Sequence, residues 1–123
     1  MSSVSAPFGL RPAYHPSGLI RPVAMTIATG YAANIFQNQP VKIGTNGTVE
    51  AAAVGDRFCG VFQGVQYTDA TGQPRLLNRW IANTAATDVI AYLTVDPGII
   101  YEIQTSATVA VADIGKEYDF STA

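Results

Sequence analysis

Cysteine and histidine occur once each in this chain, as Cys59 and His15. With one of each, no internal disulfide forms, and no zinc site of ordinary composition can be assembled within a single copy. Charge is scarce as well. Asp, Glu, Lys and Arg together make 13% of the residues, about half of the ~25% usual in a soluble domain. Only three Glu and two Lys are present, which opposes a helix-rich composition. The basic residues are scattered, the net charge is −2 and the pI is about 5.1. Nucleic acid is therefore not expected as a partner, because displacing counterions from phosphates needs clustered cations. No apolar run approaches the ~18 residues that cross a bilayer, and Met-Ser-Ser-Val-Ser lacks a basic n-region and an apolar h-region. No membrane association is expected. The chain is expected to be made in the cytoplasm and to leave it only as part of a larger particle.

Groups that move protons, attack or hold a metal are equally few. His15 stands between Tyr14 and Pro16 in a proline-rich stretch, where the rigid support that a general base needs is hard to supply. There is no Gly-rich loop ending in Lys-Ser/Thr, no Gly-x-Ser-x-Gly and no His-Glu-x-x-His. Glu117 and Asp119 form the nearest carboxylate pair and read as solvated. The loop at residues 68–74 offers one carboxylate, far short of a calcium site. No catalytic, metal or cofactor site is expected, and the chain reads as a non-enzyme. Cys59 lies in an apolar run between Phe58 and Phe62, with Arg57 its only basic neighbour, and is expected to be buried and inert.

Hydrophobic residues are plentiful, 48% of 123, enough for one core and one domain. Residues 1–24 read differently from residues 25–123. Pro7, Gly9, Pro12, Pro16, Gly18 and Pro22 break any helix there, so the segment is predicted to be an extended arm. From Val23 onward, strands alternate with Gly, Asn, Asp and Pro clusters. A hairpin is predicted over residues 42–50, with Asn46-Gly47 as a two-residue type I′ turn. A strand follows at residues 58–67. Strict alternation sets Phe58, Gly60, Phe62 and Gly64 on one face, where the glycines leave gaps for aromatic rings, and Cys59, Val61, Gln63, Val65 and Tyr67 on the other. Residues 82–87 fit a helical turn. Strands at residues 89–95 and 99–105 flank Asp96-Pro97-Gly98, and the first is apolar on both faces, as in a sandwich or closed barrel. The fold class is mainly β: a compact β-sandwich or barrel-like domain of about seven or eight short strands with an extended N-terminal arm.

The features left over are those of a binder. Low charge suits a surface that other proteins cover. In the arm, Phe8, Leu10, Tyr14, Leu19 and Ile20 supply apolar anchors, while Arg11 and Arg21 reach carboxylates or carbonyls. Such an arm is expected to lock one copy to its neighbours, the alternative being an arm folded back on its own domain. Arg79 and Trp80 are further interface residues, with Trp80 equally readable as core. Self-association is expected, a homotrimer first and a dimer second.

Several short motifs in fixed order carry a resemblance. They are Ala6-Pro7-Phe8-Gly9-Leu10-Arg11-Pro12, Gly30-Tyr31 through Ile35-Phe36 to Pro40-Val41-Lys42, Gly60-Val61-Phe62-Gln63-Gly64-Val65-Gln66-Tyr67, Asp96-Pro97 with Tyr101-Glu102-Ile103-Gln104, and Ala112-Asp113-Ile114-Gly115. Together they resemble the capsid decoration, or cement, proteins of tailed bacteriophages, over about residues 6 to 115. Cys59 departs from the branched aliphatic residue expected there. The resemblance implies a structural virion protein on the outer surface of the phage head, binding the major capsid protein and clamping neighbouring subunits, with no catalytic residue to carry over. The readings that compete with it are a carbohydrate- or ligand-binding β-sandwich, using Tyr67, Trp80 and Tyr92, and a head-completion or tail component.

Overall fold

The computed structural model describes residues 9–105 and 108–118. It is mainly β, with two antiparallel sheets packed together. The strands are β1 (Arg11–Tyr14), β2 (Val23–Met25), β3 (Pro40–Ile43), β4 (Val49–Ala51), β5 (Gly60–Asp69), β6 (Pro74–Leu77), β7 (Ala86–Thr94) and β8 (Ile100–Glu102). One turn of 3-10 helix follows at Val111–Asp113. Six strands make the main sheet in the order β2-β7-β5-β3-β4, with β6 also paired to β5. β1 and β8 form a separate two-stranded ribbon.

β5 and β7, the longest strands, form the centre of the sheet. Beside β5, β3 pairs with Gly60 and Val61 while β6 pairs with residues 65–68. The Val49 N–H donates to the Thr26 carbonyl, 2.8 Å away, so the β4 edge returns to the segment leaving β2 and the sheet curls round its contents. Those contents are Ile27, Ile35, Val41, Val49, Phe62, Val65, Tyr67, Trp80, Ala86, Ala91 and Leu93. Removing such side chains from water is the main term favouring the fold, about 1.5–3 kcal/mol for each large one.

Two irregularities decide which residues reach that core. Phe62 faces Leu93 and Gly64 faces Tyr92, so Gln63 is an extra residue on β5, a β-bulge. A second extra residue falls on β7, between the pairs Gln66/Ile90 and Thr68/Thr87, where Asp88 takes φ of 53°. Each bulge flips the alternation. Phe62, Val65 and Tyr67 therefore share one core, whereas strict alternation places Phe62 opposite the other two. The side-chain amide of Gln63, the residue without a cross-strand partner, donates through Nε2 to Asn38 Oδ1 at 3.3 Å.

The gaps at the β5 glycines are filled by backbone and not by rings. A Cβ on Gly60 would collide with the Thr94 carbonyl, and one on Gly64 would lie 3.2 Å from the Leu77 carbonyl oxygen. The β3–β4 hairpin also differs from the predicted two-residue turn. Gly47 N–H donates to the Gly44 carbonyl and Gly44 N–H to Thr48, while only Gly47, at φ 75°, has positive φ. That is a type I turn closed by a left-handed glycine, the three-residue alternative to type I′. Residues 82–87 form no helix; after a turn, with Asn83 at φ 63°, they lead into β7.

Asp96 holds the turn after β7, accepting the Gly98 N–H on Oδ1 at 2.9 Å. β8 then leaves β7 and pairs with β1, Arg11 facing Glu102, Pro12 facing Tyr101 and Tyr14 facing Ile100. Tyr101 ties the ribbon to the main sheet. Its hydroxyl lies 3.1 Å from Oγ1 of the buried Thr94 and donates to the Thr94 carbonyl at 3.3 Å.

Candidate protein-binding surface

Residues 10–15 of the arm lie on their own domain, the arrangement named above as the alternative to an arm that reaches a neighbour. Leu10, half-buried, donates its N–H to the Asn38 carbonyl at 2.7 Å. Arg11 pairs with Glu102, residues 11–14 form β1, and His15 Nε2 lies 2.9 Å from Asp96 Oδ2. Strand pairing to a sister segment satisfies backbone groups that an arm in solvent would leave to water, which is why a proline-rich segment settles here. Ile20 is half-buried, while Tyr14, Leu19 and Arg21 remain exposed. Phe8 lies outside the described residues.

Trp80 belongs to the core, only 1% exposed, and cannot contact a partner as an interface residue. Its ring meets Tyr67 edge to face at 5.8 Å, and its indole N–H donates to the Tyr31 carbonyl at 3.3 Å. Its backbone exchanges two hydrogen bonds with Ile35. Burial follows from this bridge, which turns the side chain inward. Arg79, one residue earlier, is exposed. The same burial removes Trp80 and Tyr67 from any ring platform for a sugar. Tyr92 is half-buried, with its hydroxyl donating to Gln66 Oε1 at 3.1 Å.

Cys59 corrects a second expectation, for it is exposed. It precedes β5 at the sheet's rim, with its N–H donating to the Val41 carbonyl at 2.9 Å. Burial begins at the next residue, Gly60. Neighbouring atoms still crowd the sulfur enough that desolvation pushes the thiol pKa up, so it stays protonated and weakly reactive at neutral pH.

One cluster has the residue types of acyl transfer. Ser17 Oγ is 2.7 Å from His15 Nδ1, and His15 Nε2 faces Asp96. The order Ser-His-Asp is that of a nucleophile, its base and an orienting carboxylate. Here the Ser17 backbone N–H also donates to Nδ1 at 3.1 Å, and Ser17 Oγ accepts the Leu19 N–H at 3.3 Å. Both bonds close a local turn two residues wide. The cluster fastens the arm to the turn after β7, where Asp96, bonded by the Gly98 N–H and His15, is held below the usual carboxylate range.

The Asp69 loop is equally self-contained. The carboxylate accepts from the Thr71 N–H, the Thr71 hydroxyl and the Gln73 N–H on Oδ1, and from Arg75 Nε on Oδ2. These partners, the Thr71 hydroxyl and Arg75 foremost, hold its pKa far below the usual range.

Besides the already named Tyr14, apolar exposure includes places that sequence reasoning passed over. On the ribbon, Tyr14 and its cross-strand partner Ile100 are 55% and 57% exposed. After β8, Ile103, Val109, Val111, Ile114 and Tyr118 are all exposed, and the 3-10 turn buries nothing. On β6, Leu76 is the most open leucine, at 73%. A signal was present in the Thr-Val-Ala-Val-Ala run at residues 108–112, which alternates like a strand yet is in none. The chain matches no family model, no curated protein and no solved structure.

Proposed function

We propose that this chain is a structural protein of a tailed-phage head, binding the outer surface of the capsid and stabilising contacts between major capsid protein subunits. The observation that carries the reading is the exposed apolar ribbon face, Tyr14 opposite Ile100, on a molecule with 13% charged residues. Large apolar side chains paired at one place on a weakly charged surface favour a protein partner over solvent. The motif resemblance supplies the kind of partner. Adding protein across subunit boundaries raises the free energy of separating them against the outward push of packaged DNA. A contact of standard size buries ~1,600 Å² in total, and its affinity depends on a few anchors. An oligomer touching several subunits gains avidity beyond any single contact.

The experiment is quantitative. Purified protein is added to expanded heads that lack it, and the bound copies are counted by gel densitometry. Saturable binding of hundreds of copies supports the proposal. Saturation at about a dozen copies points to a head-completion or tail component, the number fitting one ring of subunits. No binding to expanded heads overturns it. Changing Tyr14 and Ile100 to serine should weaken binding while the circular dichroism spectrum is kept.

A further inference from the structure

We propose that residues 108–112 of one copy add as a strand to the free edge of β6 in a second copy, joining the two head to tail. The donor is a segment whose local preference is unmet. Residues 105–112, Thr-Ser-Ala-Thr-Val-Ala-Val-Ala, carry no charge, proline or glycine, the composition of a strand that adds to an edge. Residues 108–110 nevertheless belong to no strand, Val111 and Ala112 are held only in the 3-10 turn, which the joint unwinds, and Val109 and Val111 are 57% and 84% exposed. A strand-forming run left outside every sheet is a conflict between local and global structure that a partner edge resolves.

The acceptor is β6. Among the described residues it pairs only with β5. Asp69 N–H bonds the Gln73 carbonyl, which fixes the phase of the ladder. Arg75 and Leu77, two and four residues on, turn their backbone groups toward β5, and Leu76 turns its N–H and C=O outward. Arg75 is held by Asp69 and Asp113 by Lys116, which leaves the exposed Arg79, three residues past Leu76, and the exposed Glu117, beyond the two valines, to meet as opposite charges at the joint. Pro74 and the four-residue length of β6 shield the edge from indiscriminate pairing. Because donor and acceptor are different surfaces of one molecule, the contact is heterologous, and it closes into a ring where the rotation between successive copies returns to the first. A trimer is the ring expected.

The test uses the isolated full chain and does not need the capsid reading. Light scattering at tens of micromolar should give a closed oligomer for the wild type. Leu76→Pro removes the outward N–H without touching a bond to β5, and Val109→Asp with Val111→Asp disables the donor. Each variant should be monomeric, and an equimolar mixture should form two-chain species, since one joint survives. Should either variant lose its circular dichroism spectrum, disulfide trapping replaces it. On a Cys59→Ala background, chains carrying Leu76→Cys are mixed with chains carrying Val109→Cys and oxidised, with a covalent heterodimer expected. A monomeric wild type, a variant keeping the wild-type mass, or an oxidised mixture without the covalent heterodimer overturns the proposal. Chains that assemble this way but do not coat heads overturn the capsid reading alone.

Discussion

Replacing Trp80 separates a core residue from an interface anchor, because the two roles predict opposite readouts. Trp80→Ala removes a side chain that is 1% exposed, a change that costs ~3–5 kcal/mol. The lost edge-to-face contact with Tyr67 adds ~0.5–1.5 kcal/mol at most, partly counted already in the first figure. A chain of 123 residues has a net stability of roughly 6–18 kcal/mol at ~0.05–0.15 kcal/mol per residue. The variant should therefore fold, with much of its margin gone. Trp80→Phe keeps a ring against Tyr67 and loses the indole N–H. The Tyr31 carbonyl keeps its bond from the Asn83 N–H at 2.9 Å, so no buried acceptor is orphaned and the cost should be about 1–2 kcal/mol. Arg79→Ala, on the exposed neighbour, should stay within ~0.5 kcal/mol. Urea denaturation followed by circular dichroism gives all three values, since Trp80 is the sole tryptophan and its fluorescence disappears with it. A Trp80→Ala protein that loses less than ~1 kcal/mol yet no longer binds capsids would refute the core assignment and restore Trp80 as an anchor.

Gly47→Ala should cost ~1–2 kcal/mol because Gly47 is left-handed, whereas Asn46→Ala should cost less than ~0.5 kcal/mol; equal losses in urea melts would favour the type I′ turn instead. Asp56, Asp69, Asp96 and Asp113 are all held below the ordinary aspartate value of 3.8, so the unfolded chain binds more protons as pH falls through that range. Their contribution is full above that value and lost as pH falls through the folded pKa values, so the melting temperature should drop below about pH 4. Asp69→Asn should flatten that drop, and a melting temperature that rises on acidification would contradict the sign. Cys59 should react with a thiol reagent in the native state, slowly because its pKa is raised, and a thiol reached only after unfolding would restore the buried reading. Removing residues 2–14 takes away β1 and its Arg11–Glu102 pair, and a loss of ~2–4 kcal/mol is expected from the uncovered apolar surface and ribbon bonds; a truncated chain of unchanged stability would show that the ribbon contributes nothing to the fold.

Local chemistry made the strands legible. Asn46-Gly47, Asp69 through Gly72 and Asp96-Pro97-Gly98 all fall in turns of the structure, because each works through its own φ preference or side-chain oxygen. What sequence left hidden is non-local. Nothing in Ile100-Tyr101-Glu102 says that its partner is β1 and not β7, since pairing depends on where the chain returns in space. The bulges at Gln63 and Asp88 were hidden for a related reason. An extra residue is visible only by counting against the opposite strand, so alternation read through Gln63 assigned Phe62 and Val65 to different faces. Trp80 shows the same limit at a site residue, its burial being set by the Ile35 bridge, 45 residues away in sequence by subtraction of the two numbers.

At the candidate site, the arm shows what residue types leave undecided. Prolines and apolar residues together correctly require that residues 9–24 lie against something, but they do not say whose surface that is. In the structure the described part of the arm satisfies itself through β8, Asn38 and Asp96, which consumes Leu10, Arg11 and His15 and leaves Tyr14 and Leu19 showing. The proposed strand addition uses instead elements that ordinary composition scores as unremarkable, β6 with its outward Leu76 and the run at residues 108–112. Both are short and neither is aromatic, so neither resembles an interface anchor by residue type. β6 stands out only when each backbone hydrogen-bonding group is assigned a partner, because a free edge is a row of unmet backbone valences before it is an apolar patch, whereas Ala110 and Val111 are already bonded within the 3-10 turn and show themselves by exposed valines alone.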